Sequence, residues 1–258
     1  MILDNTQERL QENGGSAWHS FYLLAGVGLA ISIIFVLLDI GLSFTGGDLV
    51  TGSTDAAGWF AHFQGNWFVG LRNLGLFNVI NAVLTIPLYL VLYQLHRRQS
   101  PAFAALALSL FLLGSAVYIA NNRALSMLTL SQQYASAGAG QKALLEAAGT
   151  TILAQAEDFT PGSFSGLFSN NLASLLMMAV MLRGQIIRRW LCMLGLVGMA
   201  CLLAFTVSVT FIPATFNAAM LVAMVGGLCM LAWMIGMAVI MFRLWQGGLR
   251  GSLLVPAN

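Results

Sequence analysis

The sequence has very few charged residues, and this shortage excludes most soluble folds. Charged side chains make up 8% of the 258 residues, whereas hydrophobic residues make up 59%. A soluble domain carries roughly 25% charged residues. A chain this apolar has too little charge to cover a soluble surface, so the composition predicts an integral membrane protein. No polar stretch is long enough to form a second domain.

Cysteine is also scarce, and its placement predicts neither a disulfide framework nor a metal site. Cys192, Cys201 and Cys229 lie inside apolar runs, where cysteine behaves as a small hydrophobe. The three histidines fall on different predicted sides of the membrane or in loops, so they are not expected to share a metal ion. No HExxH or GxSxG motif is present. The sequence therefore predicts no catalytic residue, no metal and no cofactor.

The N-terminus lacks the features of a cleaved secretion signal. Residues 1–16 are polar and acidic, whereas a signal peptide begins with a basic segment that precedes a short apolar core. We therefore expect the first apolar segment to be retained as a membrane span, with residues 1–16 as a polar cytoplasmic leader.

Six apolar segments are long enough to cross a bilayer, which requires about 20 residues of helix. The predicted fold is all-α: a polytopic membrane helix bundle with six transmembrane helices and a short extracytoplasmic helical segment between spans 3 and 4. Residues 17–245 form one membrane domain, and residues 246–258 form a cytoplasmic tail. The predicted spans are residues 17–44, 67–95, 102–130, 163–182, 190–212 and 217–245.

Two of these segments depart from a simple straight span. A continuous helix over residues 102–134 would measure about 50 Å, well beyond the ~30 Å hydrocarbon core. Span 3 is therefore expected to tilt, break or protrude. Pro87 predicts a kink in span 2. Just before that span, aromatic residues within 59–67 fall at helical spacing, which is typical of a short helix lying at the membrane interface.

Arginine is concentrated at one end of the predicted spans, and this asymmetry orients the chain. The basic turns after spans 2 and 4 and the end of span 6 fall on one side, whereas the alternate loops carry acidic residues. The positive-inside rule then places both termini in the cytoplasm of a bacterial cell. Arginine clusters at helix ends reflect topology, so membrane lipids are expected partners and nucleic acid is not.

Polar residues inside the spans gather at one depth. Counting about 1.5 Å per residue from the cytoplasmic ends places them in the outer half of the membrane. Intramembrane charges are costly and are often functional, so we expect an outward-facing polar cleft that residues 135–162 cover. The candidate cluster consists of Asp39, Arg72, Asn78, Asn122, Arg123 and Asn170.

Three interpretations of this polar cluster remain open. In the first, two arginines bind the anionic or polar head of a small amphiphilic ligand, while the asparagines orient it. In the second, Asp39 pairs with Arg72 or Arg123, and the amides join neighbouring helices by hydrogen bonds. In the third, both arginines extend to the outer headgroups.

Three functional hypotheses follow. The first is binding, or moving, a small amphiphilic or lipid-like molecule. The second is an accessory subunit that docks on a membrane-protein partner, through the small residues of 219–227 and the aromatic segment before span 2. The third is an intramembrane enzyme acting on lipid-linked substrates, with Asp39, Glu157 or Asp158 as acid or base. No nucleophile and base pair accompanies those carboxylates in a recognisable pattern.

The order of these segments resembles a family of bacterial integral membrane proteins that is classed as a domain of unknown function. The similarity rests on a basic turn after span 2, on Ala124–Met127 followed by Tyr134 and Ala135, and on Leu194–Gly198 at the start of span 5. It covers roughly residues 17–245. This resemblance implies a six-span fold and a membrane location, but it implies no activity and no catalytic residues.

Overall fold

The computed structural model describes residues 2–43, 55–156 and 160–247, and within the first helix it describes side chains from Trp18 to Leu42. Almost all of these residues are helical, and no strand occurs among them. The leader side chains, residues 44–54, residues 157–159 with the Glu157–Asp158 pair, and the tail beyond 247 lie outside the description. The helices are α1 (Ile2–Ser43), α2 (Ala56–Gly65), α3 (Trp67–Asn73), α4 (Leu76–Leu84), α5 (Ile86–His96), α6 (Pro101–Asn121), α7 (Ala124–Ser136), α8 (Ala139–Ala156), α9 (Pro161–Gly184), α10 (Arg189–Phe211) and α11 (Phe216–Trp245).

Six helical segments are long and apolar enough to cross a membrane, which confirms the predicted all-α polytopic bundle. Around the bundle the packing order is α1, α11, α10, α9, α6 and then α4–α5, which returns to α1. We call the side that carries the turns 96–100 and 184–189 the arginine face, and the opposite side the cap face.

The half of the bundle next to the arginine face contains the main hydrophobic core. All six membrane segments contribute to it, with Leu29, Leu92, Met177, Leu191 and Met237 completely or almost completely buried. Apolar area removed from water contributes roughly 25 cal/mol per Å² in a soluble protein. In a membrane, close packing takes over that role, because lipid is as apolar as the core.

Span 2, predicted over residues 67–95 with a kink at Pro87, is divided into three helices, α3, α4 and α5. Helix α3 ends at Asn73, and Gly75 adopts a left-handed backbone with φ of 79° before α4 begins. This conformation favours glycine, because a side chain would be strained there. A second interruption lies at Thr85, just before Pro87, whose ring lacks the N–H of a regular helix. Span 2 therefore contains one turn, at Gly75, and one kink, at Thr85.

Span 3 breaks near Asn122, so the predicted span 102–130 corresponds to two helices. Asn122 has an extended ψ of 127°, which ends α6 and redirects the chain into α7. The Asn122 side chain accepts a hydrogen bond from the Ala124 N–H at 3.2 Å and so satisfies one of the free donors in the first turn of the new helix. Of the alternatives expected for this segment, the structure selects a break.

Four helices, α2, α3, α7 and α8, form a cap over the bundle with a hydrophobic core of its own. Helices α2 and α7 are joined by the Ser131 hydroxyl, which donates to the Phe60 carbonyl at 3.0 Å. Gly149 of α8 lies so close to α2 that a Cβ there would stand 2.8 Å from the Phe60 ring. The cap core contains Ala56, Trp59, Phe60, Phe63, Leu71, Leu74, Ala124, Met127, Leu145 and Leu153.

The aromatic residues of α2 do not form the lipid-facing surface that their spacing suggested. Helix α2 does form, but Trp59, Phe60 and Phe63 are buried in the cap core. In this part of the chain, the exposed aromatic side chains are Trp67 and Phe68, which belong to the next helix, α3. The spacing of an amphipathic helix is the same whether its apolar face meets lipid or protein, so the sequence could not distinguish the two.

Candidate functional site

Asp39 and Arg72 form the charged centre of the polar layer. Asp39 lies near the cap-face end of α1, and Arg72 is in the last turn of α3. The Asp39 Oδ1 and Arg72 Nε atoms are 3.5 Å apart, and the exposed side-chain fractions are 56% and 2%, respectively. Of the two arginines that the sequence offered to Asp39, the structure selects Arg72. The carboxylate faces outward, and the guanidinium lies behind it.

A chain of polar contacts extends from Arg72 into the cap. Arg72 Nε donates to Asn73 Oδ1 at 2.9 Å, and Asn73 Nδ2 lies 3.2 Å from His62 Nε2. An amide nitrogen is only a donor, so His62 Nε2 is the acceptor. Burial lowers the pKa of the His62 imidazole, which keeps the ring neutral at pH 7 and suits this acceptor role.

Asn122 ties the break in span 3 to the break in span 2. Its Nδ2 donates to the Leu74 carbonyl at 2.7 Å, which is a group left over at the end of α3. With the bond from Ala124, both ends of the Asn122 amide are occupied. This one side chain therefore satisfies backbone groups that two interrupted helices would otherwise leave unbonded.

Asn170 serves a third part of the polar layer, between α6 and α9. Ser115 Oγ donates to Asn170 Oδ1 at 3.3 Å, across the two helices. The helices approach closely here, since a Cβ on Gly114 would lie 2.5 Å from Asn170 Oδ1. On the other side of α9, Asn171 Nδ2 donates to Thr206 Oγ1 of α10 at 3.1 Å. These amides join three neighbouring spans.

Arg123 and Asn78 are placed differently from the rest of the predicted cluster. Both are exposed. Arg123 follows the break in span 3 and borders a shallow surface depression, together with Leu74, Ala124, Met127, Ile152 and Leu153. The lining of that depression is otherwise apolar. The six predicted residues therefore occupy the same side of the bundle but fall into separate groups of contacts.

Several polar atoms of the layer were not assigned a role from the sequence. Asn73 and His62 extend the Arg72 contacts, but eleven residues and a helix boundary separate the two in the chain. Ser32 Oγ and Asn81 Oδ1 are buried atoms for which the described residues supply no hydrogen-bond partner. Among the described residues, no group of three or more His, Cys, Asp and Glu side chains could hold a metal ion.

Replacing Asn122 with alanine is expected to lower the free energy of unfolding by about 2 kcal/mol. The change removes two hydrogen bonds, each of which contributes on the order of 1 kcal/mol. Thermal unfolding followed by circular dichroism in detergent would measure the difference. Thr129→Ala is the control, because its exposed hydroxyl bonds only within α7. Equal stability of the two variants would contradict the role given to Asn122.

A family model described as "Domain of unknown function (DUF4386)" matches residues 24–238. That range runs from the first membrane helix into the last one, and it confirms the resemblance noted from the sequence. No match was found among curated proteins or solved structures.

Proposed function

The chain belongs to the DUF4386 family, a domain of unknown function, and on this premise we propose that it binds a lipid-like amphiphile. The ligand enters from the leaflet on the cap face, through a lateral opening between the cap-side halves of α1 and α11. Its polar head lies at the level of Asp39. By the positive-inside rule the cap face is extracytoplasmic, and both termini are cytoplasmic.

The observation that carries this proposal is the contrast between the two halves of the bundle. Next to the arginine face, α1 and α11 pack together, with Gly26 against the Phe242 ring and His19 6.0 Å from Trp245 by ring centroids. Toward the cap face, Leu37, Leu38 and Ile40 of α1 are each about half exposed. A helix exposed on successive residues has no neighbour around most of its circumference.

The cap-side half of helix α11 is also exposed around most of its circumference. Gly226 approaches Gly198 of α10, with a hypothetical Cβ 2.9 Å from the Gly198 carbonyl oxygen. The other faces of this half are exposed, including Leu221, Met224 and Leu228. In the cap-side half, α1 thus packs on α4 and α11 packs on α10, rather than on each other. The apolar surfaces between α1 and α11 suit an acyl or other hydrocarbon chain.

The accessible charge at the cap-side end of α1 is a carboxylate, which favours a particular kind of head group. Asp39 is 56% exposed, and Arg72 lies behind it at 2%. Amines and hydroxyls can donate hydrogen bonds to a carboxylate, whereas an anionic head would be repelled. The proposal is therefore for a ligand with an amine or hydroxyl head, and it replaces the earlier expectation of an anion between two arginines.

Polar atoms inside the α1–α4 interface support a ligand with more than one polar group. Gly28 lies against the Leu84 carbonyl, and the rings of Phe35 and Phe77 stack at 4.9 Å. This antiparallel register places Ser32 level with Asn81. Both carry a buried oxygen that lacks a partner among the described residues. Such atoms are costly unless water or a ligand bonds them.

Most residues of the two features that suggested an accessory subunit are used within the chain. The α2 aromatics fill the cap core, and Ala219 and Ala223 of α11 join an apolar cluster with α10, whereas a Cβ at Gly227 would meet nothing within 4 Å. A membrane-protein partner remains an alternative that the same experiment tests. An intramembrane enzyme would need its carboxylates in reach of a nucleophile, and of the candidate carboxylates only Asp39 lies within the described residues.

Mass spectrometry of lipids retained by the protein after mild detergent purification tests the proposal. We expect a discrete amphiphile in the wild type and at least a tenfold loss in the double variant Asp39→Ala/Arg72→Met. The double variant removes the carboxylate without leaving a buried cation, so the fold is preserved. Glu146→Gln is the matched control, since it neutralises a carboxylate that bonds Tyr134 within the cap.

Two outcomes would overturn this proposal. One is retention of the same amphiphile by the double variant at the wild-type level. The other is bulk lipid alone in both samples, with or without a stoichiometric protein partner. A constant partner would favour the accessory-subunit alternative.

A further inference from the structure

The two arginine-rich turns, which link α5 to α6 and α9 to α10, pack directly against one another. Gly184, at the end of α9, is the point of contact. A Cβ at this glycine would lie 2.5 Å from His96 Cδ2 and 2.6 Å from Gln99 Oε1. Two side chains of the first turn therefore lie on the backbone of the second. The absence of a side chain at Gly184 is what brings the turns together.

This junction concentrates positive charge, and none of the carboxylates whose side chains the structure describes lies near it. Among the described side chains, the carboxylates are Asp39, Asp55 and Glu146, and all of them lie in or beside the cap. Neighbouring cations repel each other and attract anions within a Debye length of about 8 Å at physiological salt. The junction carries five exposed arginines, namely Arg97, Arg98, Arg183, Arg188 and Arg189.

Two long helices also begin at this junction without a side-chain cap. Helix α6 follows Ser100 and helix α10 follows Arg188, and neither residue makes a side-chain hydrogen bond to the first turn. The first N–H groups of a helix have no intrahelical partner, and together with the helix dipole they favour an anion. The backbone thus adds to the field of the arginines.

A buried histidine is a second, independent observation that indicates a ligand site at this junction. His96 is completely buried, and its Nδ1 lies 2.9 Å from the Leu92 carbonyl oxygen. Since a carbonyl only accepts, Nδ1 carries the proton and Nε2 of the neutral ring is an acceptor. No described residue bonds this Nε2, which lies 3.1 Å from the Cβ position of Gly184, in the seam between the turns.

We propose that this junction, the double-turn site, binds the head group of an anionic phospholipid in the leaflet on the arginine face. The arginines and the two helix N-termini bind the phosphate. A hydroxyl of the head group donates to His96 Nε2 once the exposed Gln99 side chain moves aside. The chemistry thus fits a phosphate that carries a polyol, such as a phosphatidylglycerol, better than a choline head. This inference does not depend on the proposed site near Asp39.

Titration of the detergent-solubilised full chain with phosphatidylglycerol, followed by native mass spectrometry, tests the double-turn site. Phosphatidylcholine and inorganic phosphate are titrated in parallel. We expect phosphatidylglycerol to bind at least tenfold more tightly than either. Equal binding of phosphatidylcholine would overturn the proposal. Displacement of the lipid by millimolar inorganic phosphate would show that a free anion is the ligand, and this result would also overturn it.

Single arginine variants locate the site. Arg98→Gln and Arg188→Gln should each weaken phosphatidylglycerol binding roughly fivefold, which corresponds to about 1 kcal/mol for one arginine near an anionic surface. Arg243→Gln makes the same change at the end of α11 and should have less than a twofold effect. All three positions are at least partly exposed, so the variants should fold. Equal loss in all three would indicate a diffuse charge effect and would contradict a defined site.

A glycine variant separates geometry from charge. Gly184→Ala keeps every arginine but forces His96 and Gln99 away, so we expect a loss of at least fivefold in binding. Gly227→Ala is the control, because a Cβ there meets nothing within 4 Å. Unchanged binding in Gly184→Ala would show that the juxtaposition of the turns is irrelevant. If that variant does not fold, His96→Phe, which keeps a ring but removes the acceptor, should lower the preference for phosphatidylglycerol instead.

Discussion

Asp39→Ala is expected to lower the free energy of unfolding by about 3 kcal/mol, because it leaves the Arg72 cation buried without its carboxylate. The ion pair is unequal: the carboxylate is 56% exposed, whereas the guanidinium is 2% exposed. The attraction itself is weakened by the exposed side of the pair. Most of the expected cost therefore comes from the uncompensated buried charge.

A second substitution, at Arg72, is expected to restore stability. Arg72→Met in the Asp39→Ala background removes the buried charge and keeps a side chain of similar length, so most of the lost free energy should return. A double-mutant cycle measured by chemical unfolding in detergent gives the coupling between the two positions. Additive effects of the two changes would mean that Arg72 is stabilised by Asn73 and the surrounding cap rather than by Asp39.

Gly28→Ala is expected to destabilise the protein by about 2 kcal/mol, through overpacking of the α1–α4 interface. A Cβ at Gly28 would lie 2.5 Å from the Leu84 carbonyl oxygen. The obstacle is backbone, so no change of rotamer can relieve it and the two helices must move apart. Their separation would also disturb the stacked rings of Phe35 and Phe77.

The same helix offers a matched control for this glycine. Gly41 lies in α1 too, and a Cβ there meets nothing within 4 Å. Gly41→Ala should be neutral, or stabilising by up to about 1 kcal/mol, since alanine loses less backbone entropy in a helix. Thermal unfolding of the two variants side by side would check the prediction. Similar melting temperatures would mean that α1 and α4 can separate at little cost.

The path of the chain through the membrane could be predicted well from sequence because long apolar runs have few alternatives in lipid. The interruptions of the helices could be predicted only in part. Pro87 indicated its kink directly, since it lacks an N–H. Gly75 gave no such sign, because glycine is common in membrane helices and only the structure shows its left-handed backbone. A prediction from hydropathy alone therefore treats α3 as part of span 2.

For the polar layer, the sequence predicts the depth of the residues in the membrane but not their contacts. Counting residues placed Asp39 and Arg72 at a similar level, and the structure brings these two together. Depth does not reveal which way a side chain points around its helix, so Arg123 was grouped with residues it does not join. The bond between Ser131 and Phe60 spans 71 positions, and a single sequence carries no signal for a contact of that range.

The composition of the cap core has a consequence for how the protein is made. Helices α2 and α3 come from the segment before the second membrane helix, whereas α7 and α8 follow the break in span 3. During synthesis, Trp59 and Phe60 therefore emerge well before Met127 and Leu153, which later bury them. At ordinary elongation rates this interval lasts several seconds. Throughout that time the nascent chain presents an unpartnered aromatic surface beside the bilayer, and biogenesis must protect it until the second loop arrives.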